Sequence, residues 1–399
     1  MAWGVGANDV ANAMGTSVGS RALTIKQAVI VAAIFESAGA LLAGGQVTDT
    51  IRSQIIDIHA LSATPEILVY GMLASLLAAG LWLLLATHAG WPVSTTHSIV
   101  GAIIGFGLVN LGVDAIYWHK VINIVLSWIV TPLLSGLIAF GIFRSVQTLI
   151  LSSNDPLNQA KRYVPIYIFF AAFIITMVTL TKGLKHLGLH FTYWQCVMIA
   201  FAISVAITLL SYWALRRIKT KLSDDPKYDF KNVERTFGVL MIFTASAMAF
   251  AHGSNDVANA IGPIAAVVSI LNNGGAIITQ SAIPNWVLVL GAVGIVTGLA
   301  TYGYKVIATI GDRITELTPT RGFAAELATA TTIIIASGTG LPVSTTQTLV
   351  GAVLGVGFAR GIGALNLAVI RNIFLSWLIT LPAGAILSIV FFYIFNTVF

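Results

Sequence analysis

The chain has 399 residues, of which 57% are hydrophobic and only 9% are charged, and its net charge is +6. A soluble globular protein carries about 25% charged residues, so this composition excludes that class and favours a protein of the lipid bilayer. The single cysteine, Cys196, excludes an intrachain disulfide and a thiolate metal cluster. The basic residues lie in loops between apolar segments, which argues against a nucleic-acid-binding surface.

About a dozen apolar segments follow one another along the chain. Backbone groups in lipid must be hydrogen-bonded within the chain, and no alternating β pattern is present, so each segment is predicted to be helical. The sequence therefore predicts an all-α polytopic membrane protein with about 12 transmembrane segments. The segments are residues 3–19, 26–45, 66–87, 93–112, 117–142, 164–181, 194–215, 236–271, 285–304, 322–339, 342–358 and 367–398.

One loop is strongly basic. Residues 216–235, RRIKTKLSDDPKYDFKNVER, contain seven basic side chains. Cytoplasmic loops carry an excess of lysine and arginine, so we predict that this loop is cytoplasmic and that the chain is a multi-pass protein of the cell membrane. Residues 143–163 would lie on the same side if both intervening segments cross, and residues 182–193 would face outwards.

Three blocks of sequence occur twice in the same order at an offset of nearly 250 positions. Such self-similarity indicates an internal repeat. We predict a first transport repeat over residues 1–142, a second over residues 236–399, and an inserted helix pair with the basic loop over residues 143–235. The paired blocks are GANDVANAMG (6–15) with GSNDVANAIG (253–262), HAGWPVSTTHSIVGAIIGFGL (88–108) with ASGTGLPVSTTQTLVGAVLGVGF (336–358), and INIVLSW (122–128) with RNIFLSW (371–377).

The second copy begins seven segments after the first. Seven is odd, so the two copies have inverted topology if every segment crosses, which is a common transporter architecture with broken or re-entrant helices. One re-entrant segment would reverse this parity argument, and residues 66–112 are a plausible place for one. The second copy also has 18 residues before its motif where the first has six. We therefore expect part of the first helix to be missing from the chain as given.

Two short clusters place a carboxylate and two amides in apolar surroundings. A charged side chain at the bilayer centre costs at least about 2.5–3.5 kcal/mol, so it normally faces a cavity or a partner. Oxygen ligands suit hard cations such as Na⁺ or a proton, and glycines nearby allow the helix to unwind. We predict a cation site at each cluster; the alternative is that these side chains only link helices. The predicted ligands are Asn8, Asp9, Asn12, Asn255, Asp256 and Asn259.

Each copy of the motif Pro-Val-Ser-Thr-Thr has the pattern of a helix start. Proline is favoured at the first helical position, and the free N–H groups there, with the helix dipole, can bind an anion. Hydroxyl side chains add donors, although serine and threonine at helix starts are often only caps. We predict an anion site formed by both motifs. Its predicted ligands are Ser94, Thr95, Thr96, Ser344, Thr345 and Thr346.

Basic residues are absent around these motifs. There is no lysine or arginine between Arg52 and Lys120, between Arg235 and Lys305, or between Arg321 and Arg360. An anion bound there must therefore be balanced by helix termini, hydroxyls and bound cations. Because the aspartates would repel a bare anion, this arrangement favours symport of an anion with a cation.

Two further acids lie within apolar segments. Glu36 and Glu326 do not occupy matching positions in the two repeats. We predict that they belong to the cation pathway; the alternative is a carboxyl group that bonds a neighbouring helix. His97 and Gln347 occupy equivalent positions, and His88 and His252 border motifs; we interpret none of these as a metal site.

The doubled G-x-N-D-V-A-N-A and the doubled P-V-S-T-T resemble the inorganic phosphate transporter (PiT) family, and FESAG (35–39) and GFAAELA (322–328) also fit. The resemblance covers about 300 residues. It implies cotransport of phosphate with Na⁺ or H⁺, and in some relatives sulfate. It also implies that Asp9, Asp256, Glu36 and Glu326 matter for transport. The short central loops suggest a microbial origin, and Gln347 replaces a histidine common in the second copy.

The main hypothesis is a secondary active transporter that imports phosphate by symport with Na⁺, with alternating access around a site at the membrane midplane. Proton-coupled transport and sulfate transport stay open. A passive anion channel and a membrane enzyme acting on a phosphoryl group are alternatives of other classes, and the enzyme lacks an obvious nucleophile–base pair. The expected partners are inorganic phosphate, Na⁺ and lipid. No cofactor beyond the coupling ion is expected, and a homo-oligomer is left open.

Overall fold

A computed structural model gives the architecture of the chain. Its backbone description leaves out 90, 92, 185–187, 218–225, 279–282, 304–306, 308–316 and 362–366. The side chains of 12, 217, 226–230, 367–370 and 372 are also outside the described residues. Most of the basic loop predicted to be cytoplasmic therefore lies outside the described part of the chain.

The described residues are almost entirely helical, which confirms the all-α prediction. Three short turns connect the helices of the first part: a π-helical turn, Gly6–Val10, and two 3-10 turns, Ile58–Leu61 and Val113–Ala115. The helices of this part are α1 (Ala2–Val5), α2 (Ala11–Gly19), α3 (Ile25–Ala43), α4 (Gly45–Ser53), α5 (Pro65–His88), α6 (Thr95–Asn110) and α7 (Trp118–Val146).

The remaining helices follow after a second π-helical turn, Gln147–Leu151, and a third π turn, Leu299–Gly303, continues the helix α11. The helices are α8 (Pro156–Thr181), α9 (Tyr193–Arg217), α10 (Pro226–Asn272), α11 (Asn285–Gly298), α12 (Pro319–Gly338), α13 (Thr345–Arg360) and α14 (Leu367–Val398).

Eight helices in the described part of the chain are long and apolar enough to cross a membrane. They include α3, α5, α8, α9 and the long helix α10. Helix α6 is apolar but has 16 residues, about 24 Å of helix, which is shorter than the roughly 30 Å core of a bilayer. The chain is thus an integral membrane protein, and the count of about 12 transmembrane segments stays a prediction.

Helices α5 and α6 form a hairpin whose two outer ends meet. The backbone N–H of Tyr117 donates to the carbonyl of Ile55 (3.0 Å), and that of Asp57 donates to Ala115 (2.7 Å). The chain therefore enters α5 and leaves α6 on the same side. The connection that follows His88 and ends before Thr95 is the inner tip of this hairpin.

Helices α12 and α13 form a corresponding hairpin. At the start of α12, the backbone N–H of Thr320 donates to Glu234 (2.9 Å). Ala324 of α12 and Val356 near the end of α13 belong to one apolar cluster with Phe143, close to the end of α7. Both outer ends of this hairpin thus lie near one end of α7, opposite to the end that meets α5 and α6.

Glycines bring the two halves into close contact. Helix α6 packs on α14, and a Cβ added at Gly101 would overlap the backbone oxygen of Leu381. Helix α13 packs on α7 in the same way, because a Cβ at Gly351 would overlap the backbone oxygen of Pro132. The second helix of each hairpin therefore packs on the helix that follows the other hairpin. This correspondence supports the predicted inverted repeat, which stays a prediction.

Candidate ion and anion binding site

The two Pro-Val-Ser-Thr-Thr motifs lie at the inner tips of the two hairpins, and each starts a helix as predicted. Ser94 caps α6, because its hydroxyl oxygen accepts from the backbone N–H of His97 (3.2 Å). Ser344 caps α13 by accepting from the N–H of Gln347 (3.2 Å). Both serines thus act as N-caps, which satisfy donors that a helix start leaves open.

The first threonine of each motif contacts the aspartate of its own half. The hydroxyl of Thr95 donates to Asp9 Oδ2 (2.6 Å), and that of Thr345 donates to Asp256 Oδ2 (2.8 Å). Both aspartates are buried, with exposed fractions of 3% and 0%. The predicted anion motifs and the predicted cation clusters are therefore parts of one site.

Contacts between the halves close this site. Asn259 donates through Nδ2 to the hydroxyl oxygens of Thr95 (3.1 Å) and Thr96 (3.0 Å). The hydroxyl of Thr96 in turn donates to the backbone oxygen of Val343 (2.9 Å), next to the other motif. The hydroxyl of Thr346 lies 3.4 Å from Asp9 Oδ1. The motifs of one half are thus fastened to the motifs of the other.

The first asparagine of each cluster links the helix that carries it to the neighbouring hairpin. Asn8 donates to the hydroxyl of Thr87 (2.8 Å), and Asn255 donates to that of Ser337 (3.0 Å). The Oδ1 atom of Asn255 also accepts from the backbone N–H of Val343 (3.2 Å). Both hydroxyls occupy the same position, 250 apart, at the end of the first hairpin arm. The predicted ligand Asn12 has its side chain outside the described residues.

The helix that carries the first cluster departs from regular α geometry where the ligands lie. Residues Gly6–Val10 form a π-helical turn, so Asn8 and Asp9 project from this turn. Such turns are frequent at functional sites. In the second half the cluster lies within the continuous helix α10. The first cluster thus lies on a π-helical turn that continues the helix and the second on regular α-helix, so the predicted unwinding is not present at either cluster.

Glu36 is next to the second aspartate through His252, which the sequence analysis placed only at the border of a motif. His252 Nδ1 lies 2.9 Å from Glu36 Oε1, and His252 Nε2 lies 3.0 Å from Asp256 Oδ2. All three side chains are buried. A histidine one turn before Asp256 in a glycine-rich motif was the available signal, because residues four apart share a helix face.

Glu326 lies in a separate cluster of hydroxyls. Its carboxylate accepts from Thr16 (2.6 Å), Ser17 (2.5 Å) and Thr244 (2.6 Å) and is fully buried. These donors lie on α2 and α10, so the carboxylate joins the two helices that carry the Asn-Asp motifs to α12. Its described contacts do not include either aspartate, and its predicted place in the cation pathway stays a prediction.

Two buried oxygens of the second cluster have acceptor capacity that no donor uses. Asp256 Oδ1 and Asn259 Oδ1 have no hydrogen-bond partner among the described residues, although both side chains are fully buried. They are three positions apart and share one helix face. A buried acceptor without a donor is costly, and a cation supplies the missing positive charge. Ligand atoms of Asp9, His252 and Asp256 also lie within 4.8 Å of one another.

The hydrogen bonds of this site come from hydroxyl, amide and backbone groups, together with one imidazole in contact with two carboxylates. None of the contacts described above involves lysine or arginine. The buried arginine of the first half, Arg52 on α4, pairs instead with Asp49 (2.9 Å). The site thus has hydroxyl donors that could bind an anion and carboxylate oxygens that could hold a cation.

Comparison with known proteins agrees with this chemistry. A model of the phosphate transporter family matches residues 5–388. The chain belongs to the phosphate transporter family. The resemblance to inorganic phosphate transporters is thereby confirmed, and this family is a class of transporters and not of enzymes, so the membrane-enzyme hypothesis is wrong.

Relatives of this family match along the whole chain. A protein of Haemophilus influenzae, named as a candidate phosphate permease, is 55% identical over 100% of this chain and 95% of its own length. Inorganic phosphate transporter 2-1, chloroplastic, of Arabidopsis thaliana is 43% identical over 100% of this chain and 71% of its own length. The solved structure of a sodium-dependent phosphate transporter superposes with a TM-score of 0.93 at 39% identity, covering 100% of this chain and 97% of that one.

Proposed function

We propose that the chain is a secondary active transporter that imports inorganic phosphate by symport with Na⁺. The observation that carries this proposal is the junction of the two hairpin tips with the two aspartates. Thr95 and Thr345 each join a helix start to a buried carboxylate, so anion donors and cation ligands are in direct contact. Binding of either ion therefore changes the environment of the other.

The anion would bind between the two helix starts. The deprotonated oxygens of phosphate only accept hydrogen bonds, and the hydroxyls of Thr95, Thr96, Thr345 and Thr346 together with the free N–H groups of α6 and α13 are donors. These hydroxyls now donate to the aspartates or to the backbone of the opposite half. In the proposed mechanism a bound cation would contact a carboxylate oxygen in place of the threonine hydroxyl. That hydroxyl would then be free to donate to phosphate.

The cation would bind at the aspartates. Asp256 Oδ1 and Asn259 Oδ1 are the buried acceptors that most require a positive charge. Carboxylate and amide oxygens suit a hard ion, and the similar solved structure is that of a sodium-dependent transporter. This supports Na⁺ as the coupling ion, with Asp9 and Asn8 on the first half and Asp256, Asn255 and Asn259 on the second.

Alternating access would follow from rocking of one half against the other. The two hairpins open towards opposite ends of α7, and their tips meet at the site. Displacing one hairpin tip would expose the site to one side while the other tip keeps it closed, as in other transporters with inverted repeats. On this proposal the protein lies in the cell membrane with residues 216–235 in the cytoplasm, residues 1–142 and 236–399 form the repeats, and residues 143–235 form the insert.

Uptake into proteoliposomes tests the proposal. We expect purified protein to accumulate labelled phosphate above its external concentration when an inward Na⁺ gradient is imposed, and to accumulate little without it. Equal accumulation with a proton gradient alone would replace Na⁺ by H⁺ as the coupling ion. Downhill flux without accumulation would indicate a passive channel. Unlabelled sulfate that competes as well as unlabelled phosphate would extend the substrate to sulfate.

A further inference from the structure

The two halves differ in the side chains next to their aspartates. In the second half, the imidazole of His252 contacts Glu36 (2.9 Å) on one nitrogen and Asp256 (3.0 Å) on the other. The exposed fractions of His252 and Glu36 are 0% and 2%. Three ionisable groups are thus in a row inside the protein, ending at the cation ligand.

The first half has a valine where the second has this histidine. The offset of 247 that aligns Asp256 with Asp9 also aligns His252 with Val5. Val5 is fully buried, as His252 is. The position is therefore equally enclosed in both halves, and only its chemistry differs.

The counterpart of Glu36 follows from helix packing. A Cβ added at Gly253 would overlap the backbone oxygen of Glu36, and a Cβ added at Gly6 would overlap the backbone oxygen of Ile295. Gly253 and Gly6 are the same position of the repeated motif, so Glu36 corresponds to Ile295. The pair His252–Glu36 thus corresponds to the pair Val5–Ile295, and each pair takes one residue from either half.

This difference coincides with a difference in the carboxylates. Asp256 Oδ2 accepts from Thr345 and contacts His252, and its Oδ1 is buried without a donor. Both oxygens of Asp9 have a threonine hydroxyl as partner, Thr95 on Oδ2 and Thr346 on Oδ1. One aspartate thus presents a ready ligand atom, and the other must first lose a hydroxyl.

We propose that His252 and Glu36 are positioning residues that hold Asp256 as a preformed cation ligand, so that the cation site of the second half fills before that of the first. The inference rests on the proposed Na⁺ symport and adds an order to it. Na⁺ binds at Asp256 in the absence of phosphate, whereas binding at Asp9 requires Thr346 to release the carboxylate, which phosphate favours by taking the hydroxyl.

Stabilisation of the purified protein by Na⁺ without phosphate tests the order, because a ligand that binds the folded state raises its thermal stability. We expect NaCl, compared with choline chloride, to raise the melting temperature of the wild type and of Asp9→Asn, and not that of Asp256→Asn. Stabilisation that is lost in Asp9→Asn and kept in Asp256→Asn would overturn the inference. Equal loss in both variants would do so as well.

A double variant that copies the first half tests the positioning role. Glu36→Ile with His252→Val installs the side chains that the first half already packs at these positions, so it avoids leaving one charge buried alone. We expect the Na⁺ concentration for half-maximal stabilisation, and for half-maximal phosphate uptake, to rise about tenfold, as for loss of one contact to a charged group. The maximal uptake rate at saturating Na⁺ should change much less.

Two further variants keep this test decisive. Glu36→Gln retains the size of the side chain and an acceptor for the imidazole, and it replaces the double variant in this test if that variant is not expressed. We expect the Na⁺ requirement of Glu36→Gln to rise as well. Ile295→Val, the control at the position that corresponds to Glu36, should leave the Na⁺ titration unchanged. A wild-type Na⁺ titration in Glu36→Gln or in the double variant would overturn the positioning role. Absence of any Na⁺ effect in the wild type would instead contradict the proposed function.

Discussion

At the scale of single residues, the threonine that follows each capping serine links the proposed anion site to the proposed cation site. Thr95 donates to Asp9 and accepts from Asn259, so one hydroxyl joins the two halves of the molecule. Its oxygen has one proton and two acceptor positions, which allows it to donate either to the carboxylate or to a bound anion, but not to both. In the proposed symport, this single choice would be the physical basis for coupling between anion and cation.

Substitution of Thr95 tests this role. In Thr95→Val, a side chain of similar size removes the hydroxyl and leaves Asp9 Oδ2 without its donor, a loss of about 1–3 kcal/mol for a buried group and more for a charged one. We expect phosphate uptake to fall at least about tenfold. Thr95→Ser keeps the hydroxyl and should retain most uptake; similar rates for the two variants would contradict the role.

The sequence contains strong signals for some of these residues and weak ones for others. Asp9, Asp256 and the Ser-Thr-Thr motifs were predictable because they occur twice and are polar in apolar surroundings. The partners Thr87 and Ser337 differ in identity, so a search for identical repeats does not find them. Glu36 and His252 are 216 positions apart and have no polar counterpart in the other half, and only the fold shows that they meet.

At the scale of helices, close backbone packing at glycine residues determines how the hairpins are held. Helix α13 approaches α7 so closely that a Cβ added at Gly355 would overlap the backbone oxygen of Gly136. In lipid, where apolar surfaces gain little by association, small residues that allow close packing are a main source of helix–helix contact. The hairpin tip that carries Ser344 and Thr345 is thus positioned by this glycine seam.

An added methyl group on this seam should displace the hairpin. We expect Gly355→Ala to force α13 away from α7, with an overpacking cost of about 1–3 kcal/mol. Lower thermal stability of the purified protein and a lower uptake rate would report the displacement. Gly141→Ala is the matched control on α7, since no atom lies within 4 Å of the added Cβ there. It should be neutral or slightly stabilising, because alanine favours helix over glycine.

The hairpin arrangement of α5 and α6 is a feature that the sequence does not determine. Apolar stretches of 66–87 and 93–112 have the length and hydropathy of crossing helices, and nothing in their composition distinguishes a crossing pair from a re-entrant one. The contacts that join the outer ends of this pair into a hairpin are long-range, between Ile55 and Tyr117 and between Asp57 and Ala115. A hairpin adds either two crossings or none, so the odd parity on which the inverted orientation was predicted is the same in both cases.

At the scale of the whole molecule, the two halves are interlocked and not merely adjacent. The second helix of each hairpin packs on the helix that follows the other hairpin, α6 on α14 and α13 on α7. Neither half can therefore move as a separate domain without sliding along these glycine contacts. The rocking that we propose for alternating access would therefore have to slide along these contacts.

The orientation of the halves in the membrane can be measured with single cysteines, because Cys196 is the single native one and is buried. Ser62, before α5, and Asn273, after α10, are exposed, and Gly275 lies near Pro65, so both loops lie on one side. Asn154 is exposed beyond the far end of α7.

In a Cys196→Ala background, an impermeant thiol reagent should label Ser62→Cys and Asn273→Cys from outside the cell. Asn154→Cys should react only in inverted vesicles, as expected for the side of the basic loop. Labelling of Ser62→Cys and Asn154→Cys from the same side would contradict the hairpin arrangement and, with it, the inverted orientation of the two halves.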